Sequence, residues 1–274
     1  LEKAKEEGGN NFQFVSLDVR SPQATELISD LKPKVIFHLA AQVDLRHSVN
    51  DPLLDAEINI LGTLRILEGA RYGGTEKVVV AASGGTLYGD QEDIYLPFKE
   101  SLGANPQSPY GISKATTMNY LSIYQDLYGL DGTALALANV YGPRQDPHGE
   151  AGVVAIFAGQ LLEKTESTIF GTGEQTRDFV YVQDVVEAFI KAAEVKQMKF
   201  CNIGTGKETS VNELYETMAS LLESPSKPRH LPSRSGEVER SALDPTYAQS
   251  SLDWISTTSL EGGLFKTIEW FKEN

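Results

Sequence analysis

Residues 77–82 read Lys77-Val78-Val79-Val80-Ala81-Ala82, and residues 34–39 read Lys34-Val35-Ile36-Phe37-His38-Leu39. Both runs are short and apolar at every central position, so each would present two apolar faces as a strand. Strands of this kind are expected in a parallel sheet that helices cover on both sides. The two stretches therefore predict a doubly wound α/β fold.

Longer segments with helical periodicity alternate with these strands, which is typical of βαβ units in a parallel, Rossmann-like sheet. Further strands are predicted at 12–17, 133–139 and 199–203, and helices at 22–31, 52–71, 110–128, 182–195, 211–222 and 260–271. After Gly142-Pro143-Arg144 the chain becomes rich in Gly, Pro and Ser. We therefore expect a sheet domain over 1–145, completed by 180–205, and a smaller α/β domain over 146–179 and 206–274.

Composition excludes several classes of protein. The 274 residues are 41% hydrophobic and 23% charged, which is enough for a core and excludes disordered or collagen-like chains. A net charge of −14 would repel nucleic acid and anionic membranes. The single cysteine, Cys201, cannot form an internal disulfide, and the histidines show no metal-binding spacing. These features predict a soluble cytoplasmic protein without a metal, nucleic-acid or membrane partner.

A glycine-rich turn is missing from the predicted sheet. Dinucleotide-binding folds open with a strand, a G-x-G-x-x-G or G-x-x-G-x-x-G turn, and a helix whose N-terminus receives the pyrophosphate. Here Gly8-Gly9 precedes a predicted strand, and Gly204-x-Gly206 leads into Lys207-Glu208. We expect the chain to lack an N-terminal β-α-β unit of roughly 30 residues. The alternative is a fold that never had this unit.

Tyr110 and Lys114 lie four residues apart at the start of a predicted helix, just after Ser108-Pro109. An ammonium group beside a phenol favours the phenolate, so Tyr110 would be a proton acceptor near neutral pH. A third group must hold the substrate hydroxyl. Thr86 is the preferred candidate and Ser83 the alternative, since both follow the strand at 77–82.

Several motifs, taken in this order, resemble the extended short-chain dehydrogenase/reductase family, whose members include NAD-dependent epimerases and dehydratases. They are Asp18-Val19-Arg20, His38-Leu39-Ala40-Ala41-Gln42-Val43, Asn59-x-x-Gly62-Thr63, Ser83-x-x-Thr86-Leu87-Tyr88-Gly89, Tyr110-x-x-x-Lys114, Asn139-Val140-Tyr141-Gly142-Pro143-Arg144, Arg177-Asp178-Phe179-Val180-Tyr181-Val182-x-Asp184 and Asn202-Ile203-Gly204. The resemblance covers essentially the whole chain. Within the family the sequence is most similar to the UDP-glucose 4-epimerases.

This resemblance implies the cofactor NAD and a UDP-sugar substrate. Implied NAD-binding residues are Asp18, Val19, Leu39, Ala40, Ala41, Gln42, Val43, Asn59, Tyr110, Lys114 and Ala138. Implied substrate-binding residues are Ser83, Thr86, Asn139, Val153, Thr168, Phe170, Arg177, Arg234, Glu237 and Ser241. Catalysis would rest on Tyr110 and Lys114, with Thr86 or Ser83.

The reaction type is suggested by what the loop after the strand at 77–82 lacks. Similar dehydratases carry an Asp-Glu pair just before the Tyr-Gly of this loop, whereas this chain has Gly85-Thr86-Leu87. Without a second acid-base group, reversible oxidation at sugar C4 is the simplest chemistry, so we expect 4-epimerisation of UDP-glucose and UDP-galactose. Ser241 stands where epimerases restricted to plain hexoses tend to have Tyr, which leaves room for an N-acetyl group.

Two other functions remain open. The first is a different nucleotide-sugar-modifying enzyme of the family, such as a dehydratase or decarboxylase. The second is a non-catalytic UDP-sugar-binding protein without the phosphate-binding loop. The resemblance also implies a homodimer that pairs through the helices at 52–71 and 110–128.

Overall fold

The computed structural model describes residues 1–90, 96–147, 152–233 and 238–274. Within these ranges the strands are β1 (Val35–His38), β2 (Lys77–Ser83), β3 (Asp131–Leu137), β4 (Asn139–Tyr141), β5 (Thr168–Phe170), β6 (Thr176–Arg177), β7 (Phe179–Tyr181), β8 (Phe200–Ile203), β9 (Thr209–Ser210) and β10 (Arg229–Leu231). The helices are α1 (Glu2–Gly8), α2 (Pro22–Leu31), α3 (Leu45–Asn50), α4 (Pro52–Ala56), α5 (Gly62–Gly73), α6 (Gly84–Leu87), α7 (Pro109–Tyr128), α8 (Val153–Leu162), α9 (Val182–Glu194), α10 (Val211–Leu221), α11 (Thr246–Leu252) and α12 (Leu260–Glu273). A π-helical turn, Glu57–Leu61, joins α4 to α5, and a 3₁₀ turn, Gly9–Asn11, follows α1.

The main sheet consists of four strands in the order β1–β2–β3–β8. Every neighbouring pair in it is parallel. Three two-stranded sheets lie beyond it: β4 with β7, β5 with β10, and β6 with β9. The parallel α/β architecture predicted from the sequence is confirmed.

Both faces of β2 are buried, as its apolar sequence predicts. Val78 and Val80 pack on one face against α5 and α7, through Leu67 and Leu121. Val79 packs on the other face in a cluster that includes Phe189 of α9 and the side chain of Trp254. Because helices cover both sides, the carboxyl ends of β1 to β3 open at one edge, where doubly wound folds bind ligands.

The predicted strand at 12–17 is not a strand. The segment has no neighbouring strand among the described residues, so its backbone groups form no ladder. Phe14, Val15 and Leu17 are exposed. A strand is defined by its partner, and the apolar alternation of this segment alone was insufficient.

A second hydrophobic core lies outside the main sheet. It gathers the apolar faces of α8, α10 and α12, represented by Phe157, Met218 and Leu264. The strands β4 and β7 supply Tyr141 and Phe179 to it. Among the described residues, no helix is long and apolar enough to cross a membrane.

Candidate active site

Helix α7 begins at a point that the sequence specifies in detail. The Ser108 hydroxyl accepts a hydrogen bond from the Gly111 N–H at 3.1 Å, and Pro109 occupies the first helical position. This start places Tyr110 in the first turn and Lys114 one turn later. A Cβ on Gly111 would lie 2.8 Å from the Thr86 carbonyl oxygen, so glycine lets α7 approach the turn that follows β2.

Tyr110 and Lys114 form a buried pair. The Lys114 Nζ lies 5.7 Å from the centroid of the Tyr110 ring and donates a hydrogen bond to the Ala81 carbonyl oxygen at 3.0 Å. Burial lowers the pKa of Lys114 to about 8, and the charge of Asp55 opposes this shift. Burial raises the pKa of Tyr110 to about 12, and a side-chain hydrogen bond from Ser83 opposes that shift.

The pKa of Tyr110 thus differs from the expectation based on spacing. The sequence predicts that the neighbouring ammonium makes the phenolate accessible near neutral pH. In the protein alone, removal of the phenol from water is the largest influence on its pKa and raises it, and the charge of Asp55 acts in the same direction. The Tyr110 proton is therefore held until further positive charge or a hydrogen-bonding substrate joins the site.

Ser83 and Thr86 occupy different positions relative to Tyr110. Ser83, the last residue of β2, forms the side-chain hydrogen bond that acts on the Tyr110 phenol. The Thr86 Oγ1 is buried and has no hydrogen-bond partner in the described part of the chain. Of the two hydroxyls, Ser83 is therefore the one that acts on the pKa of the Tyr110 phenol.

A network of buried polar side chains lies behind this pair. The Asp55 carboxylate accepts hydrogen bonds from Gln42 Nε2 at 3.1 Å, Asn59 Nδ2 at 2.9 Å and Ser113 Oγ at 2.5 Å. The Asn59 side chain also binds the backbone of Gln42, at 2.9 Å through its oxygen and 3.0 Å through its nitrogen. We refer to Gln42, Asp55, Asn59 and Ser113 as the Asp55 network.

His38, at the end of β1, lies beside this network. Its Nε2 is 3.0 Å from the Thr63 hydroxyl, which itself donates to the Asn59 carbonyl oxygen at 2.6 Å. Since the Thr63 hydrogen is used in that bond, His38 Nε2 is the donor. Burial, aided by the positive charge of Lys114, lowers the pKa of His38 to about 4. His38 is therefore neutral near pH 7.

The residues predicted to bind NAD surround an open edge of the sheet. Leu39, Ala40 and Val43 are exposed in the loop after β1, and Ala41 is half-buried. Gln42, also in this loop, and Asn59, on the π-helical turn, belong to the Asp55 network. Ala138 lies between β3 and β4, and its backbone N–H donates to the Ile203 carbonyl oxygen at 2.9 Å.

Asp18 and Val19 lie apart from Tyr110, next to the π-helical turn. A Cβ on Gly62 would lie 2.8 Å from Val19 Cγ2, so this glycine admits Val19 against α5. The Asp18 carboxylate is exposed and accepts hydrogen bonds from Arg20, which lower its pKa to about 2.

This donor set fits a dinucleotide. Lys114 Nζ donates a single hydrogen bond among the described residues, so two of its three hydrogens are available to a ribose hydroxyl. The exposed apolar residues of the loop after β1 suit a flat ring, and the Asp18 carboxylate suits a donor group.

A cavity of about 580 Å³ lies beside the short strands β5 and β10. Its walls include Phe170, Gln175, Leu231, Pro232, Ser233 and Arg240. Gln175 Nε2 donates to the Phe170 carbonyl oxygen at 2.8 Å, which fixes one wall. Of the residues predicted to bind substrate, Phe170 lines this cavity and Thr168 lies on the same strand.

The other predicted substrate-binding residues lie in several places. The Asn139 Oδ1 faces Gly85, at 3.8 Å from the position of a Cβ there. Arg177 is half-buried and donates to the Thr176 carbonyl oxygen at 2.8 Å, while Ser241 is buried and its N–H donates to the same oxygen at 3.2 Å. Val153 packs against the second hydrophobic core. Arg234 and Glu237 lie outside the described residues.

Sequence reasoning missed Asp55, Ser113 and Gln175. Asp55 stands one turn after Asp51-Pro52, a combination that indicates a helix start and so accounts for acidic residues without any site. Its burial beside Ser113 depends on the packing of α4 on α7, which no local pattern announces. No group of three or more His, Cys, Asp or Glu able to hold a metal ion occurs in the part of the chain that the structure describes.

Known proteins resemble this chain along nearly its full length. The family model described as GDP-mannose 4,6 dehydratase matches residues 1–267. A UDP-glucose 4-epimerase of Mycolicibacterium smegmatis is 46% identical over 268 residues, which are 97% of this chain and 85% of that protein.

Two solved structures share the fold. The UDP-glucose 4-epimerase of Thermotoga maritima with UDP-glucose superposes with a TM-score of 0.93 at 40% identity, covering 99% of this chain and 94% of that one. The UDP-glucose 4-epimerase of Thermus thermophilus in complex with NAD gives 0.91 at 36% identity, covering 98% and 87%. This chain therefore belongs to the GDP-mannose 4,6-dehydratase family of NAD-dependent epimerases and dehydratases.

Proposed function

We propose that this protein is an NAD-dependent epimerase that inverts C4 of a UDP-hexose, interconverting UDP-glucose and UDP-galactose. The observation that carries the proposal is the meeting of Tyr110, Lys114 and Ser83 at the carboxyl edge of the parallel sheet. The similarity to UDP-glucose 4-epimerases over nearly the whole chain supports the same activity.

Tyr110 moves the proton of the sugar 4-hydroxyl in this mechanism. NAD, when bound, supplies the acceptor and then the donor of the hydride at C4. The Tyr110 Oη takes the hydroxyl proton as C4 becomes a carbonyl carbon, and it returns the proton to the same oxygen when the carbonyl is reduced on its opposite face. Ser83, next to the phenol, is placed to hold the substrate oxygen during both transfers.

Lys114 supplies positive charge behind the phenol. Its ammonium group, fixed by the Ala81 carbonyl oxygen, favours the phenolate form of Tyr110. With a pKa of about 8, Lys114 is largely protonated at neutral pH. The same ammonium group has hydrogens left for a cofactor ribose, so it would serve both binding and chemistry.

The surroundings of Tyr110 favour epimerisation over elimination of water. Elimination needs an additional acid and base near the sugar. Helix α6, Gly84–Leu87, packs against the start of α7 and contains no carboxylate. Its Leu87 is instead buried in a hydrophobic cluster with Tyr88 and Phe98. A dehydratase or decarboxylase activity therefore has less support.

We assign the cofactor and the substrate to two parts of the fold. Residues 1–145 with 180–205 would bind NAD, and residues 146–179 with 206–274 would bind the nucleotide. The cavity beside β5 and β10, with Phe170 on its wall, suits a nucleoside. Arg177 and Asn139 would contact the diphosphate, and Arg234 and Glu237 belong to the same assignment from the sequence resemblance.

The test is turnover of UDP-glucose by the purified protein in the presence of NAD. We expect UDP-galactose as the product, detected by nuclear magnetic resonance without net consumption of NAD. Accumulation of a 4-keto-6-deoxy sugar would instead identify a dehydratase. Binding of UDP-glucose without turnover in NAD-saturated protein would support the non-catalytic alternative.

The substrate range extends, in our proposal, to UDP-N-acetylglucosamine. Ser241 is buried, and the residue before it, Arg240, lines the cavity beside β5 and β10. Its side chain is small, and the sequence resemblance assigns its position to the substituent at C2 of the sugar, where a 2-acetamido group would need such a small neighbour. Ser241→Tyr should abolish turnover of the N-acetyl sugar and retain that of UDP-glucose, whereas equal losses for both sugars would contradict this assignment.

Homodimer formation is a further part of the proposal. The helical segment 52–61 and helix α7 leave large apolar side chains exposed: Leu53, Leu61, Ile112, Ile123 and Leu127. Burial of such a surface against a second copy would be favourable. Light scattering should give the mass of a dimer, and Leu53→Glu with Leu127→Glu should give the mass of one 30.0 kDa chain.

We also propose a cytoplasmic location. The single cysteine, Cys201, is a fully buried thiol whose pKa is raised by burial, so it needs no oxidising compartment. Cell fractionation with antibody detection would test this, and recovery in the membrane or exported fraction would contradict it.

A further inference from the structure

Asp55 is a fully buried carboxylate at the candidate active site. Its relative exposure is 0%, and the hydrogen bonds that its carboxylate accepts from the described residues come from three side chains: Gln42, Asn59 and Ser113. No basic side chain lies within 4.0 Å of it among the described residues.

Two of the three donors, Gln42 and Ser113, come from segments that must stay in register for the reaction. Gln42 belongs to the loop after β1, where the cofactor is proposed to bind. Ser113 lies between Tyr110 and Lys114 on α7. Asp55 therefore bridges the cofactor-side loop and the turn that carries the reacting phenol.

Its negative charge also acts on that turn. Four ionisable groups meet here within the described structure: Asp55 from α4, Tyr110 and Lys114 from α7, and His38 from β1. The charge of Asp55 raises the pKa of Lys114 and also that of Tyr110. Neutral His38 contributes no opposing charge near pH 7.

Resting on the proposed function, we propose that Asp55 is a positioning residue: its carboxylate locks the loop after β1 to the Tyr110–Lys114 turn and balances the Lys114 ammonium. The lock is geometric, through Gln42 and Ser113. The balance is electrostatic, since a buried ammonium without a nearby anion loses its proton more readily. Asp55 itself does not touch the sugar.

The two roles can be separated by two substitutions. Asp55→Asn keeps the shape, because an amide oxygen can still accept from Gln42 and Asn59 while the amide nitrogen donates to the Ser113 hydroxyl. It removes only the charge. Ser113→Ala keeps the charge and removes the bond to α7, which measures 2.5 Å.

In Asp55→Asn, we expect both limbs of the pH profile of kcat to move to lower pH by about one unit. The reason is that the negative charge of Asp55, which raises the pKa of both Tyr110 and Lys114, is removed. In Ser113→Ala, we expect kcat to fall about tenfold with the limbs unmoved. The matched control is Asp126→Asn, which removes an exposed carboxylate from the other end of α7 and should change neither. Unmoved limbs in Asp55→Asn, or an unchanged kcat in Ser113→Ala, would overturn the proposal.

A readout without turnover separates this inference from the proposed function. Ultraviolet titration of tyrosinate, taken as the difference between each protein and its Tyr110→Phe partner, isolates Tyr110 from the other ten of the 11 tyrosines. The pKa of Tyr110 should be lower in Asp55→Asn than in wild type. If the wild-type protein lacks epimerase activity, the proposed function is wrong. If Tyr110 has the same pKa in wild type and in Asp55→Asn, the role proposed for Asp55 is wrong.

Discussion

Two buried carboxylates, Asp55 and Asp178, show how differently a fold can use the same group. Asp178 accepts hydrogen bonds from the backbone N–H groups of Thr205, Gly206 and Leu243, and from the Thr205 hydroxyl. Within the part of the chain that the structure describes, Asp55 accepts hydrogen bonds from side chains alone, and it lies beside two titrating groups. The first carboxylate fixes two loops mainly through their backbone, with one added bond from the Thr205 hydroxyl, whereas the second is coupled to the ionisation of Tyr110 and Lys114. A buried charge held by backbone indicates architecture, and one held by side chains next to titrating groups indicates function.

The largest expected effect is on turnover, at Tyr110 beside Asp55. Tyr110→Phe removes the proton acceptor and leaves the ring in its buried place, so kcat should fall by about a thousandfold with unchanged thermal stability. Steady-state turnover and thermal unfolding measure the two properties. Near-normal turnover would remove Tyr110 from the chemistry.

For the other carboxylate, Asp178→Ala leaves three backbone N–H groups without their acceptor, that of Leu243 buried and those of Thr205 and Gly206 partly buried. The free energy of unfolding should fall by about 4 kcal/mol. Urea denaturation measures this loss, and Asp126→Asn, an exposed carboxylate, provides the control. A loss below that of an ordinary surface substitution would contradict the difference drawn between Asp178 and Asp55.

The buried His38 side chain should make the free energy of unfolding depend on pH. Burial lowers its pKa from 6.5 to about 4, so the unfolded chain binds more protons than the folded protein between these pH values. The stabilisation is present above pH 6.5 and is lost as the pH falls towards 4, a loss of about 3 kcal/mol. Urea unfolding at both pH values should show a smaller loss in His38→Gln, and equal losses would refute the assignment.

The buried ammonium group of Lys114 should lower the free energy of unfolding at neutral pH. Because burial lowers its pKa from 10.5 to about 8, keeping the ammonium buried is unfavourable at neutral pH. Lys114→Met should therefore raise the free energy of unfolding at pH 7 by about 2 kcal/mol, while turnover is lost. The gain should shrink as the pH rises from 8 and vanish well above pH 10.5, where the unfolded lysine is neutral as well. A less stable variant at pH 7 would contradict this account.

The sequence was sufficient wherever a local pattern had a single structural meaning. Val78-Val79-Val80 predicted a strand buried on both faces, and Ser108-Pro109 placed the start of α7 within one residue. The sequence was insufficient where the structure of a segment depends on contacts with a part of the chain distant in sequence. The segment 12–17 has strand periodicity without a neighbouring strand, and Asp55 reads as an ordinary residue of a first helical turn.

The choice between Ser83 and Thr86 shows the same limit on a smaller scale. Both hydroxyls follow β2, but whether a residue ends a strand or lies in the next helical turn determines where its side chain points. A difference of three residues therefore moves a hydroxyl from the Tyr110 phenol to a buried place without a partner among the described residues. Only the packing of α7 on that turn reveals it.

The π-helical turn Glu57–Leu61 has a consequence for the helix in which it lies. A π turn holds one residue more than the α-helical hydrogen bonds require, so it sets the angular phase between α4 and α5. Deleting one residue there would leave a longer regular helix but rotate Asp55 by about 100° relative to Thr63. Asp55 would then lose its hydrogen bond with Ser113, while Thr63 kept its hydrogen bond with His38. The irregular turn is therefore the phase adjustment that lets one helix serve β1 and α7 together.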